Sequence, residues 1–259
     1  MAGRPLNLRM RQICLVAREL APTVEIFGEV FGLEVCYRDA GVGKYGLENA
    51  LFPIGDGFLE VVAPTQAGTT AGRYLDRRGG DGGYMVITQC ADLAARRARC
   101  EAVGVRVANE IRQAEYHELQ LHPRDVGAAM LSFSRQEGGE AADGPWHPAA
   151  SRGTSTRGAA TIRAMTGAEL QGEDAEKLAQ RWSDVVSLPL ACDERGRPII
   201  RLDDASLRFV TATDGRGEGL AGLDLSCADK GRVLASARAR GLGAEGDVVL
   251  VCGMRFYLV

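Results

Sequence analysis

One arrangement of apolar residues occurs four times along the chain: a short strand, then a helix, then further short strands. In the first copy, residues 13–17 form an apolar run, and Val24, Phe27, Val30 and Phe31 then recur at helical spacing. Three more short apolar runs follow, and the last of them ends near residue 62. This order predicts a β-α-β-β-β module.

The later copies have the same order of elements. The second copy begins at Tyr84, the third contains a helical apolar stripe over residues 175–186, and the fourth begins at Gly222. Two short sequence similarities connect these copies at equivalent points of the pattern. Residues 30–35 resemble residues 185–190, and residues 90–92 resemble residues 227–229. We therefore predict an α+β fold built from four βαβββ modules.

The modules are separated into two pairs by a change in composition. Residues 136–160 are rich in Gly, Ser, Thr and Ala and have no apolar period, which is typical of a linker. We expect two domains, residues 1–135 and residues 161–259, with two modules in each. Trp146 lies inside the linker, and we expect it to pack against a neighbouring domain.

Composition excludes several classes of protein. The chain has 34 acidic and 31 basic residues and a formal net charge of −3, so it lacks the basic excess of nucleic-acid-binding proteins. No apolar run approaches the roughly 20 residues of a membrane helix, and the first residues lack the apolar core of a signal peptide. The seven cysteines are scattered and odd in number. We expect a cytoplasmic protein with no nucleic-acid or membrane partner.

Several segments carry a family resemblance. Residues 11–20, 31–35 and 57–64 resemble the vicinal oxygen chelate superfamily, which includes glyoxalase I, methylmalonyl-CoA epimerase, extradiol dioxygenases and bleomycin-resistance proteins. Residues 121–127 resemble the closing turn of its epimerase-like members. The resemblance is close over the first domain and looser over the second. It implies that each pair of modules forms a glyoxalase-like open barrel, but one fold hosts many chemistries.

The resemblance also implies a position for a divalent metal inside each cup. In the first domain the four ligand positions fall on Gln12, Glu60, Met85 and Ser132. A thioether and a hydroxyl are poor partners for a site otherwise made of oxygens, and no imidazole is present. We therefore expect no bound cofactor, while a divalent metal held by Gln12 and Glu60 remains the alternative.

The second domain departs further from the family. Its four equivalent positions hold Gly167, Arg208, Gly222 and Tyr257, and none of these is an ordinary metal ligand. We expect this half to be a structural or interface partner of the first half.

Glu60 is the candidate catalytic residue because it interrupts an apolar strand, residues 58–62. Inside a partly dry cup its pKa would be raised by desolvation, and it could serve as a general base. Glu60→Gln would then be neutral or stabilising near neutral pH. The alternative is a carboxylate that is hydrogen-bonded or ion-paired for structural reasons.

Six further residues are candidate ligand-binding residues on the same resemblance. Gln12 could equally be a buried structural amide, the two tyrosines could simply pack, and His122 could anchor the turn that follows it. The six are Gln12, Tyr84, Met85, Tyr116, His122 and Ser132.

Three functions fit this sequence. The favoured one is a protein, like the bleomycin-resistance proteins, that binds a small organic molecule in the N-terminal cup without a tight metal. The second is a metal-dependent lyase, isomerase or dioxygenase that uses Gln12 and Glu60 as ligands. The third is a metal-free enzyme with Glu60 as general base. The oligomeric state is open between monomer and homodimer.

Overall fold

The structure is a computed structural model that describes residues 8–149 and 161–259. The elements of the first segment are β1 (Leu8–Val16), α1 (Leu20–Phe31), a 3-10 helix (Ala40–Tyr45), β2 (Leu47–Ile54), β3 (Gly57–Pro64), α2 (Thr70–Arg78), β4 (Gly82–Cys90), α3 (Leu93–Ala102), β5 (Val107–Arg112), β6 (Tyr116–Leu121), α4 (Pro123–Val126) and β7 (Met130–Gln136). Those of the second are β8 (Ile162–Gly172), α5 (Ala175–Val186), β9 (Leu190–Cys192), β10 (Pro198–Arg201), β11 (Ser206–Thr211), β12 (Gly219–Cys227), α6 (Lys230–Ala239), β13 (Ala244–Glu245), β14 (Val248–Val251) and β15 (Met254–Leu258).

The strands form two open sheets with the same design. Their orders are β2-β3-β1-β4-β7-β6-β5 and β13-β14-β15-β12-β8-β11-β10-β9. In each sheet the first strands of two modules pair antiparallel, β1 with β4 and β8 with β12. Each of these four strands also pairs in parallel with the last strand of its own module. The predicted α+β fold of paired modules is confirmed, and neither sheet closes into a barrel.

The two sequence similarities lie at equivalent helix ends. Gly32 and Ser187 follow α1 and α5, and both have left-handed backbone conformations, with φ of 71° and 53°. Asp92 and Asp229 precede α3 and α6, and each carboxylate accepts a hydrogen bond of 2.9 Å from the third residue of its helix. The two pairs of similar segments therefore lie where these helices begin or end, and they contain the residues that cap the helix ends.

The first module departs from the predicted pattern. The first of the three short strands expected after the helix, at residues 35–37, is reduced to a single bridge between Tyr37 and Leu51. A 3-10 helix occupies the following residues, and its start is capped by Asp39, whose side chain accepts a hydrogen bond of 2.8 Å from Gly41. Local capping by Asp39 thus replaces part of the strand with a helical turn.

One apolar core lies between the helices and both sheets. It combines residues from strands of each sheet with the buried faces of α1, α3, α5 and α6. Phe256 on β15 contacts Phe27 and Phe31 on α1, with ring centroids 5.6 Å and 5.2 Å apart. Because this core contains residues of both halves, the limits 1–135 and 161–259 stay a prediction. Among the described residues, no helix is long and apolar enough to cross a membrane.

Candidate functional site

A cavity of about 620 Å3, which we call the cup, lies on one face of the first sheet. Side chains alternate between the two faces of a strand. On β1, Ile13 and Leu15 therefore join the core beneath the helices, whereas Gln12 and Cys14 line the cup. All seven strands of this sheet contribute lining residues, as do the 3-10 helix, the segment 66–71 and residues 147–148.

Glu60 lies deep in the cup, and only 8% of it is exposed. Its Oε2 accepts a hydrogen bond of 2.8 Å from Gln12 Nε2, and its Oε1 accepts one of 2.6 Å from Asn49 Nδ2. Cys14 lies directly opposite Glu60 on the paired strand, so its thiol is near this carboxylate. Burial raises the pKa of Glu60, while the hydrogen bonds from Asn49 and Gln12 and the thiol of Cys14 offset part of this rise. The raised pKa agrees with the prediction.

Both amides that bind Glu60 are oriented by partners on their other side. Gln12 Oε1 accepts a hydrogen bond of 2.9 Å from the indole Nε1 of Trp146. Asn49 Oδ1 accepts one of 2.7 Å from the backbone N–H of Asp39. Since each amide oxygen is already engaged, each amide must present its NH2 group to Glu60. The four side chains therefore form one buried chain of hydrogen bonds that ends on a carboxylate.

Trp146 packs against a neighbouring part of the chain, as expected. It is 1% exposed and packs on the first sheet, where it contacts Tyr116 edge to face at 5.6 Å and Arg11 at 5.2 Å. Arg11 also donates to the carbonyls of Ala142 and Gly144, so this guanidinium fixes the chain around the tryptophan. The linker is thus fixed to the first sheet at Trp146, and its next two residues, His147 and Pro148, line the cup.

A second buried carboxylate, Glu118, lines the cup and was not foreseen from the sequence. It is 4% exposed, and its Oε2 accepts a hydrogen bond of 3.1 Å from the hydroxyl of Tyr116. Its Oε1 has no hydrogen bond of regular geometry with any described residue. Burial raises the pKa of Glu118, the neutral groups of Ser132, Tyr116 and Gln120 lower it, and the nearby charge of Glu60 raises it further. The two-residue period of β6 is the signal that could have found Glu118, because it places Glu118 on the same face as Tyr116.

The remaining candidate residues divide into two groups. Tyr84, Met85 and Tyr116 line the cup together with Gln12, and burial raises the pKa of Tyr84 to about 12. Ser132 is wholly buried in β7 and does not line the cup. His122 lies at the start of α4, where its Nδ1 accepts a hydrogen bond of 3.3 Å from the backbone N–H of Arg124. The structure therefore places these last two outside the cavity.

The four positions implied for a metal do not fit a divalent cation. Gln12 directs its oxygen at the indole of Trp146, and both oxygens of Glu60 accept amide hydrogen bonds. Met85 offers a soft thioether, and Ser132 lies outside the cup. Across residues 8–149 and 161–259, no group of three His, Cys, Asp or Glu side chains is arranged to hold a metal.

The equivalent face of the second sheet holds compensated charges. Glu169 lies opposite Arg208, just as Cys14 lies opposite Glu60 in the first sheet. Glu169 is within 3.1 Å of Arg208 and 2.8 Å of Arg255, and Arg208 also forms a two-pronged pair with Asp224 at 2.7 Å and 2.9 Å. Burial acts to lower the pKa of Arg208, but the carboxylates of Asp224 and Glu169 raise it above its usual value.

Tyr257 completes this group by donating a hydrogen bond of 2.8 Å to Glu169. Of the four positions implied for a metal here, Arg208 and Tyr257 thus serve the ion-pair network. Gly222 lies at the register position between Glu169 and Arg255. A Cβ at Gly167 would lie 2.6 Å from Asp224 Oδ2, so the absence of a side chain leaves room for that carboxylate.

Comparison with known proteins supports the fold. A family model described as a glyoxalase-like domain matches residues 13–186. No curated protein matches the chain at a significant level. Among solved structures, the methylmalonyl-CoA epimerase of Streptomyces coelicolor, in complex with 2-nitronate-propionyl-CoA, has 24% sequence identity, covers 51% of this chain and 98% of its own, and gives a TM-score of 0.45. The methylmalonyl-CoA epimerase of Mycobacterium tuberculosis has 20% identity, covers 52% of this chain and 92% of its own, and gives 0.44.

A third structure resembles the whole chain. It is a hypothetical protein from Staphylococcus aureus with 12% identity, which covers 97% of this chain and 98% of its own with a TM-score of 0.66. At this identity the likeness establishes the arrangement of both sheets and nothing about activity. Because the family model matches more than half of the chain, the protein belongs to the family of glyoxalase-like domain proteins, within the vicinal oxygen chelate superfamily.

Proposed function

We propose that the cup binds a small organic molecule and does so without a metal ion. Its volume of about 620 Å3 lies in the range of small-molecule sites, roughly 300 to 1,000 Å3. Apolar side chains such as Val62, Met85 and Met130 alternate around it with a few polar groups, which is the usual composition of such sites.

The observation that carries the proposal is the buried network of Gln12, Glu60, Asn49 and Trp146. A buried carboxylate is costly unless it is hydrogen-bonded, and here two oriented amides hold it at the edge of an open cavity. The same amides engage the atoms that a metal would need. This favours direct binding of an organic ligand over a metal-dependent lyase, isomerase or dioxygenase.

A metal-free enzyme is the second candidate, and the raised pKa of Glu60 favours it. A carboxyl whose pKa is raised toward the working pH is a more effective general base than an ordinary one. Glu60 would accept a proton from a bound molecule, while Gln12 and Asn49 hold the carboxylate in position.

All seven cysteines are free, which agrees with the proposed reducing, cytoplasmic location.

The test is a fragment screen by ligand-observed NMR on the wild-type protein and on two variants of the cup. Ala108→Trp at the exposed edge of the cup should block binding, whereas Ala102→Trp on the exposed end of α3 should not. Glu60→Gln should weaken binding by about tenfold or more, because it removes a charge and reverses a hydrogen bond. Its matched control is Glu48→Gln on the exposed edge of the neighbouring strand.

Two results would contradict the proposal. In the first, no fragment binds to the wild-type protein. In the second, fragments bind equally well to the wild-type and Ala108→Trp proteins, which would place the site elsewhere.

A further inference from the structure

We propose that the cup selects organic cations, such as protonated amines and quaternary ammonium compounds. This inference rests on the proposed function and adds the chemical class of the ligand. It is carried by two buried carboxylates that face one cavity without a compensating positive charge from the described part of the chain.

The charges around the cup are strongly unbalanced. Its acidic lining residues are Asp39, Glu60 and Glu118. The basic lining residues that the structure describes are Lys44 and His147, and burial lowers the pKa of His147. Three of the 31 basic residues of the chain are lysines, which leaves 28 arginines, yet no arginine that the structure describes lines the cup. A chain so rich in arginine therefore keeps guanidinium groups away from this cavity.

Lys44 lies where it cannot neutralise the deep carboxylates by direct contact. It belongs to the 3-10 helix and is exposed to solvent, and its Nζ lies 4.8 Å from the centre of the exposed Tyr45 ring. The groups that most strongly lower the pKa values of Glu60 and Glu118 are all neutral amide, thiol and hydroxyl groups. Lys44 thus lies at the opening of the cup, whereas Glu60 and Glu118 lie in its interior.

The second sheet shows how the same chain neutralises a buried carboxylate with its own side chains. Glu169 is 1% exposed and pairs with both Arg208 and Arg255. By register, these two arginines correspond to Glu60 and Met130 of the first sheet. At the positions where the second sheet supplies two cations, the first sheet supplies an acid and a thioether. The missing cation therefore comes with the ligand.

Individual groups in the cup suit such a ligand. Glu118 lines the cup, and its buried Oε1 has no hydrogen bond of regular geometry with a described residue, so this carboxylate has an acceptor position to offer an ammonium group bound beside it. The rings of Tyr84 and Tyr116 and the sulfur of Met85 line the same cavity. Aromatic rings attract cations through their faces, most strongly where water is excluded.

The inference also predicts proton release on binding. A cation near Glu60 and Glu118 favours their ionised forms, so amine affinity should rise with pH through the folded-state pKa values of these carboxyls. The groups that face them are Gln12 and Cys14 on β1, Asn49 on β2, Tyr84 on β4, and Tyr116, Gln120 and Ser132 on β6 and β7. Of these, burial raises the pKa values of Cys14, Tyr84 and Tyr116, so those groups stay neutral over the same range. Asp39, Lys44 and His147 also line the cup, and burial lowers the pKa of His147, which favours its neutral form.

The experiment compares three probes of similar shape at about pH 8: 2-phenylethylamine, 2-phenylethanol and phenylacetate. They are measured by ligand-observed NMR beside a fragment library with equal shares of amines, neutral compounds and carboxylates. The amine should bind about tenfold more tightly than the alcohol, and phenylacetate should bind most weakly. Calorimetry in two buffers of different ionisation enthalpy should detect protons released by the amine below neutral pH.

Variants connect this preference with Glu118. Glu118→Gln should reduce the preference for the amine by about tenfold and leave the affinity for the alcohol nearly unchanged. Glu115→Gln, an exposed substitution just before the same strand, is the matched control and should change neither. The comparison of probes on the wild-type protein does not depend on whether the variant folds.

The possible outcomes separate the two proposals. If library members bind in the cup but neutral compounds or carboxylates bind as tightly as amines, the inference is wrong and the proposed function stands. An amine preference that persists in a folded Glu118→Gln protein also contradicts it. If nothing binds in the cup, the proposed function itself fails.

Discussion

Glu60 and Trp146 should be energetically coupled although the structure shows no direct hydrogen bond between them. Gln12 connects them, because its oxygen accepts from the indole and its NH2 donates to Glu60. In Glu60→Gln, the new NH2 group faces the NH2 group of either Gln12 or Asn49. Neither of these amides is free to turn over, because each amide oxygen already accepts a hydrogen bond from another group. One buried donor is then left without an acceptor. Trp146→Phe removes the indole N–H and lets the Gln12 amide turn over, so that its oxygen can accept from the introduced NH2 group.

The size of the coupling follows from the cost of one unpaired buried group, about 1 to 3 kcal/mol. With Trp146 present, Glu60→Gln carries this cost. In the Trp146→Phe background one group of Gln12 is already unpaired, and turning the amide over adds no further unpaired group. The cost of Glu60→Gln should therefore fall by about 1 to 3 kcal/mol in that background. The free energies of unfolding of the wild-type protein, the two single variants and the double variant form a double-mutant cycle. They are measured by urea unfolding followed by far-UV circular dichroism.

The pH dependence of Glu60→Gln has a definite sign. Burial raises the folded-state pKa of Glu60 above its unfolded value of about 4.3. Stability that depends on the protonated carboxyl is complete below the unfolded pKa and is lost as pH rises through the folded pKa. The substituted amide does not titrate, so the variant should gain stability relative to the wild-type protein as pH rises from about 4 to 8. Desolvation alone predicted a neutral or stabilising variant at neutral pH, and the unpaired donor opposes that gain.

One result of the double-mutant cycle would contradict the predicted coupling. If the free energies of Glu60→Gln and Trp146→Phe add to within about 0.5 kcal/mol, the two residues are independent and the proposed orientation of Gln12 is wrong. Glu48→Gln in both backgrounds is the control for a general effect of charge removal, since Glu48 is exposed on the neighbouring strand.

Two further predictions concern the ion-pair network of the second sheet and the metal. Arg208→Met should lower the stability by about 3 to 5 kcal/mol, or roughly 10 °C in Tm, because it leaves Glu169 and Asp224 without a principal partner. The exposed Arg201→Met is its control in calorimetry, and an equal loss in both variants would refute the role of the network. After dialysis, elemental analysis should find well under one equivalent of Zn, Ni, Mn or Fe, whereas stoichiometric metal would restore the metal-dependent alternative.

Much of the fold follows from the sequence because it depends on periodicity and capping. The stripe over residues 175–186 forms α5 with the predicted limits, and Asp92, which lies in one of the two repeated segments, caps α3. Residues 35–37 show the limit of this reasoning, because a short β-like run cannot reveal that Asp39 caps a competing 3-10 helix. Helix α2 is also invisible to periodicity. Its residues are mostly polar, and it is defined by the Thr69 cap and the left-handed Gly79.

The site was only partly predictable for a different reason. The family pattern identifies Gln12 and Glu60 because they occupy fixed positions on β1 and β3, but it says nothing about residues outside that pattern. Asn49 binds Glu60 from β2 and Glu118 lines the cup from β6, and the registers of these strands are set by pairing with β3 and β7. Trp146 reaches the site from a segment with no periodicity at all. These contacts depend on tertiary structure, so propensity and spacing carry no record of them.

The two sheets have the same topology but accommodate their buried carboxylates in opposite ways. In the second sheet, arginines surround Glu169, and the face that could form a cup is held together by ion pairs. In the first sheet, the described hydrogen-bond partners of the buried Glu60 and Glu118 are all neutral, which lowers the stability of the protein without a ligand. Departures from local stability rules tend to lie at functional sites, where a ligand or a reaction makes use of them. The contrast within one chain therefore supports the proposal that the ligand binds at the first sheet, and the second sheet shares with it the core around Phe27 and Phe256.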